Sequence, residues 1–172
     1  MLMNMKDGKK LKDLYTTDQY QRVSAFFKDS LKTPISLFQR MKPEFLIALL
    51  YPKMMPCNAA SSVEEAIMQL AKDGGKEIKG LETMAFQASV FDSIPYEKQA
   101  AELLNTIDSL EKSKADFSLM LNAYKQQQLD EIEKIVNTPG GGAADNQEIL
   151  LDNRNKNWIQ QLKIIMKKNP VF

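Results

Sequence analysis

The chain has 172 residues, a formal net charge of +1, 44% apolar residues and 26% charged residues. These values exclude a disordered chain and a global field that would gather nucleic acid or an anionic membrane surface. There is no histidine and a single cysteine, Cys57, which excludes imidazole chemistry from this chain and any internal disulfide.

The opening residues, Met1 to Lys10, hold no apolar core of a signal peptide. As written, the chain is expected to stay in the cytoplasm, with the compartment of any longer parent, export included, left unassigned. Asp7-Gly8-Lys9 is followed by Leu11 and Leu14. Thr16-Thr17-Asp18-Gln19 has capping-box spacing. Val23, Phe26, Phe27 and Leu31 then share a face, so a helix is expected to about residue 32, ahead of Pro34. A short helix is expected over Ile35 to Arg40. Pro43 suits the first turn of another, whose run Phe45 to Leu50 is apolar nearly all round and predicts burial on several sides. The longest apolar stretch, Phe45 to Tyr51, is far below the roughly 18 residues of a membrane span.

Pro52 to Cys57 reads as a proline-bounded loop. Ser61-Ser62-Val63-Glu64-Glu65 holds two overlapping capping boxes, with Ala66, Ile67, Leu70 and Ala71 following at helical spacing. Gly74-Gly75 ends that helix. Glu77–Leu81 predicts a strand, and Glu82-Thr83 then leads into a helix to about Ser93. Pro95 opens a helix to about Leu110. Ser113 to Asn137 is a long helical stretch with a break expected near Gln126-Gln127-Gln128. Residues 138–145 read as a flexible loop containing Gly140-Gly141-Gly142. Asn146 is placed to cap the last helix, which runs to about Lys168, and Val171-Phe172 opens what resembles a second strand. The expectation is one domain over 1–172, mainly α, with one or two short strands.

Two residues carry the chemical interest. Glu82 places a carboxylate at a strand-to-helix corner, where α/β enzymes commonly keep reactive groups. The plain alternative is a carboxylate at a helix N-terminus, gaining roughly 0.3–1 kcal/mol from the dipole. In the last helix Leu151, Asn155, Trp158, Leu162 and Ile165 form a stripe, and Arg154 borders it. A guanidinium there needs an anion: Glu82, a substrate, or a near neighbour such as Glu148 or Asp152. Thr83 reads as an N-cap, and Trp158 as a core anchor. Cys57 has no base for thiol chemistry. The ten methionines are scattered, as gap-fillers are.

Gly80-Leu81-Glu82-Thr83 with Gln87, then Pro95 and Gln99, then Tyr124, then Leu150-Leu151-Asp152-Asn153-Arg154-Asn155-Lys156-Asn157-Trp158 together resemble the TraB/GumN-like family. Its relatives include the Tiki metalloproteases and, more distantly, the erythromycin-esterase-like proteins. Asp7-Gly8-Lys9 and Lys42-Pro43 fit the same pattern. The resemblance implies a metal-dependent hydrolase or protease using zinc, manganese or cobalt, acting on a peptide or other small hydrolysable ligand. It implies an α/β core with a large helical insert and two Gly-x-x-His motifs. It places the family's conserved glutamate on Glu82 and its conserved arginine on Arg154. Both histidine motifs are missing here, and Lys125 stands where the family usually has Gly-Asp after its tyrosine.

The expectation is therefore the helical middle of a truncated α/β parent. Glu82 would be a metal ligand or acid–base group, and Arg154 would hold Glu82 or a substrate anion. A hydrolytic centre needs about three protein ligands, so this fragment alone should bind no metal and turn nothing over. The alternative is a non-enzymatic helical interaction module that forms a homodimer to cover an apolar helix face and the unpaired edge of Glu77–Leu81.

Overall fold

The computed structural model describes residues 2–55, 62–137 and 146–167. Two expected features, the loop over 138–145 and the strand at 171–172, lie outside them, as do Cys57 and Ser61.

The chain starts with a tight reversal. Asp7 and Gly8 both take positive φ, 56° and 70°, and the Lys9 amide donates to the Lys6 carbonyl at 3.2 Å. Two successive left-handed residues define the turn type in which Asp-Gly is favoured. A 3-10 turn, Leu11–Leu14, follows. Helix α1, Thr17–Ser30, starts with both halves of the expected capping box: Thr16 Oγ1 accepts from the Gln19 amide, and Gln19 Oε1 accepts from the Thr16 amide at 2.9 Å. The expected helix at Ile35 shortens to a 3-10 turn, Ile35–Phe38. Helix α2, Pro43–Ala48, starts at its proline. The run through Leu50 is buried on one side only. Leu46 and Leu50 are fully enclosed, whereas Leu49 is 41% exposed.

The loop expected from Pro52 is instead a short helix, α3, Tyr51–Met54. Pro52 lies in its first turn, where a missing N–H breaks no bond. Helix α4, Val63–Asp73, is capped by Ser62. It closes as the Lys76 amide reaches the Ala71 carbonyl over Gly75, whose φ is +63°. Helix α5, Met84–Val90, runs into a 3-10 turn at Phe91–Ser93. Helix α6 spans Tyr96–Asp108 and α7 spans Leu110–Lys125. The glutamine break is real: Gln127 is left-handed at φ 57°, and α8, Leu129–Val136, follows. A widened π turn, Glu148–Asp152, leads into α9, Asn153–Met166. The Asn146 Oδ1 accepts from Lys98 Nζ at 3.4 Å.

The fold is thus mainly α. Glu77–Leu81 is not a strand. It runs as irregular chain from Lys76 to Gly80, with residues 77–80 exposed. A strand needs a hydrogen-bonded neighbour, and the one β pairing among the described residues is an isolated antiparallel bridge between Asn4 and Met41. Local β propensity without a partner leaves extended coil.

The core gathers Met5 and Leu11 from the N-terminal segment, Val23 and Phe27 from α1, Leu46, Ile47 and Leu50 around α2, and Leu103 and Leu104 from α6. Helix α2 packs along α6, α1 meets α6, and α3 meets α7. Each fully buried leucine contributes about 1.5–3 kcal/mol. Helices α4, α8 and α9 contain no fully buried residue.

Candidate charged site

Glu82 follows the extended segment, one residue before Thr83. Thr83 Oγ1 accepts from the Phe86 amide at 3.1 Å and so serves as the N-cap of α5. Arg154 lies in the first turn of α9. The structure brings these two together across 72 residues of sequence. Arg154 Nη2 donates to Glu82 Oε2 at 2.8 Å, and Nε donates to Oε2 at 3.0 Å and to Oε1 at 3.2 Å. Nη1 donates to the Leu150 carbonyl at 3.0 Å, within the π turn. A turn wound wider than α releases carbonyls from the regular ladder, and this one is taken up by the guanidinium. Every nitrogen of the guanidinium is therefore engaged, and a planar fork meeting a carboxylate in this way fixes orientation as well as charge.

The Glu82 side chain is only 2% exposed, against 21% for Arg154. The hydrogen bonds from Arg154 hold the Glu82 carboxyl below its ordinary range. They outweigh the opposite push of burial, with smaller help from Arg154's charge, Trp158 and Gln87. The Trp158 ring stacks under the guanidinium, 5.0 Å from Cζ to centroid. Its buried indole Nε1 has no partner at full hydrogen-bond geometry, but its N–H lies near enough to the Glu82 carboxylate to favour the ionised form. Trp158 therefore belongs with this pair and is no part of the main core cluster. Of the side-chain partners open to Arg154, the structure shows Glu82, and neither Glu148 nor Asp152 pairs with it.

An ionised, doubly held carboxylate is a fixed anion. It has no proton to give near neutral pH, and its lowered pKa makes it a weak base. Among the described residues no group of three His, Cys, Asp or Glu side chains is arranged to hold a metal ion. The described residues therefore do not fit a divalent-metal centre by themselves. Also among the described residues, no helix is long and apolar enough to cross a membrane.

A second charged cluster escapes sequence reading. Lys42, just before α2, is 1% exposed. Its Nζ donates to Asp92 Oδ1 at 2.8 Å and to the Ala88 carbonyl at 2.6 Å. Asp92 also accepts from the Tyr96 hydroxyl at 2.6 Å and pairs with Lys6 at 3.1 Å. Burial pushes the Asp92 carboxyl up, but hydrogen bonds from Lys42, Tyr96 and Lys6 together bring it below its ordinary value. The available signal was the i, i+4 spacing of Asp92 and Tyr96; nothing local marked Lys42 as buried. Gln99, also 1% exposed, donates to the carbonyls of Phe91 and Ile94 at 2.7 and 2.9 Å and accepts from the Glu44 amide at 3.3 Å. It satisfies a helix end and a helix start at once. Tyr124 is 70% exposed and lies away from both clusters, at the rim of a hollow with Lys125 and Leu129.

The model of the TraB/PrgY/gumN family matches residues 1–172. No curated protein matches the chain, and no solved structure does.

Proposed function

Because the chain belongs to the TraB/PrgY/gumN family, we propose that it is the helical part of a metal-dependent hydrolase or protease related to the Tiki metalloproteases. In this reading Glu82 is the fixed anion of the site and Arg154 the residue that orients it. The single observation behind the proposal is the fork-on-carboxylate pairing of two residues far apart in sequence, held at 2% exposure of the acid. The direct role of the pair is positional. A clamped carboxylate presents a constant charge and direction, which suits holding a neighbouring ligand set or a cationic substrate group. The chain encodes no histidine, so imidazole ligands would come from other polypeptide. The chain alone should show no calorimetric binding of Zn²⁺ or Mn²⁺ at micromolar affinity and no peptide hydrolysis.

The test uses the natural reading frame that carries this segment, assayed for peptide hydrolysis with Zn²⁺, Mn²⁺ or Co²⁺. Glu82→Gln should lower kcat about 100-fold or more with KM and folding retained, the scale lost when a preorganised charge is removed. Full activity in that variant would refute the assignment.

A second reading has its own observation. Helix α4 leaves Val63 68%, Ile67 60% and Leu70 71% exposed on one apolar face. In this reading the chain is a helical interaction module, and a second copy covers that face. The unpaired strand edge invoked for such pairing does not exist, so α4 alone would have to carry it. A monomer mass by light scattering at high concentration, unchanged by Ile67→Lys, rejects this reading.

A further inference from the structure

A hollow on the surface lies on neither charged cluster. It has a volume of about 660 Å³, within the roughly 300–1,000 Å³ of small-molecule sites. One wall is the N-terminal segment and the other is the stretch from Ser36 to Met41. The two walls are pinned together by backbone bonds: Met5 amide to Arg40 carbonyl at 2.7 Å, Leu11 amide to Gln39 carbonyl at 2.7 Å, and Lys42 amide to Met3 carbonyl at 2.9 Å. Gln39 closes the floor, its Nε2 donating to the Tyr20 hydroxyl at 2.7 Å. The frame is therefore held by bonds that do not depend on any occupant.

Lys10, Lys12 and Arg40 line this hollow, and no carboxylate does. None of the three forms an ion pair among the described residues, in a chain whose other exposed cations often do. The remaining wall is largely apolar, with Leu37, Phe38 and Met41. Leu37 stands 72% exposed. Three cations over apolar walls in a braced concavity match one ligand chemistry: a negative head on an apolar body. An inorganic anion would use the cations and leave the apolar wall wet.

We propose that this hollow binds a small organic anion, with a phosphate or carboxylate head held by Lys10, Lys12 and Arg40 and an apolar body against Leu37, Phe38 and Met41. The site is independent of Glu82 and Arg154. The experiment is an amide NMR titration of the whole chain with phenyl phosphate, benzoate, inorganic phosphate and benzyl alcohol. Saturable shifts confined to residues 4–12 and 36–41, tighter for phenyl phosphate or benzoate than for the other two, are the expected result. Which head binds better separates a phosphate from a carboxylate ligand. Arg40→Gln should weaken binding ~10-fold or more, the scale of a charge-assisted hydrogen bond. Leu37→Ser should weaken phenyl phosphate and leave inorganic phosphate unchanged. Arg40 and Leu37 are both exposed, so the fold survives both changes, and circular dichroism checks it. Equal affinity for benzyl alcohol, shifts scattered over every basic surface, or indifference to Arg40→Gln would each overturn the proposal.

Discussion

Replacing Arg154 by methionine tests what holds α9 in place. The variant removes contacts of 2.8, 3.0 and 3.2 Å and leaves a carboxylate at 2% exposure without a cation. Breaking a buried pair from one side costs about 3–5 kcal/mol. Arg154 is itself 21% exposed, so water reaches part of the vacated space and the lower end applies, about 3 kcal/mol. Helix α9 has no fully buried residue and little else to anchor it. The loss should therefore appear first as local release of α9, ahead of global unfolding. Trp158 is the sole tryptophan and sits 5.0 Å from the lost guanidinium. Its emission reports the local event, while far-ultraviolet circular dichroism reports the rest. In urea, the emission transition of Arg154→Met should move well below the dichroism transition, whereas in the parent the two lie closer together. The double variant with Glu82→Met should recover much of the loss, giving a coupling of about 2 kcal/mol. An Arg154→Met protein within about 0.5 kcal/mol of the parent, with unmoved emission, would refute the reasoning.

Three further outcomes follow from the same structure. Lys42→Met leaves Asp92 with only Lys6 and Tyr96 and takes the Nζ donor from the Ala88 carbonyl. It should cost about 3 kcal/mol in urea denaturation, the low end for breaking a buried pair, with Lys42→Arg failing to rescue because the pocket is closed around an ammonium. Leu103→Ala, at 0% exposure in the main core, should cost about 2–5 kcal/mol by the same measurement and move both optical transitions together. Acid should also destabilise the chain through two identified carboxylates. Glu82 and Asp92 both have folded pKa values below their ordinary 4.5 and 3.8. Their contributions are complete above those values and vanish as pH falls through the lower folded ones. The urea midpoint should stay level down to about pH 5 and drop below about pH 4, and Arg154→Met should flatten part of that drop.

Helix boundaries were legible because they are set by chemistry within four residues. Thr16 and Gln19, Ser62 and Glu65, Gly74-Gly75 and the glutamine break each act locally, and each stands where the pattern placed it. The reading of Glu77–Leu81 failed for the opposite reason. Alternation and propensity describe a strand's surface, but pairing is decided by a partner far away, and none of the described residues supplies one. The Pro52 segment failed because a proline one residue into a helix looks the same, in sequence, as a proline in a loop. The Glu82–Arg154 contact was legible as one of several options, since a guanidinium beside an apolar stripe demands an anion. The burial of Lys42 was not legible, because it depends on how α5 and α6 close over the start of α2. The cation-lined hollow depends on two segments meeting through backbone bonds, which carry no side-chain signature.

Helix α5 gains an unusual mechanical status from its neighbours. Just before it, Glu82 is bolted to α9; just after it, Asp92 is bolted to the residue that precedes α2. A short rod fastened ionically at both ends cannot slide along its axis without stretching one clamp or the other. Amide hydrogens of residues 87–90 should therefore exchange only after a clamp lets go, and loosening either one with Arg154→Met or Lys42→Met should speed them, even though α5 exposes most of its own surface.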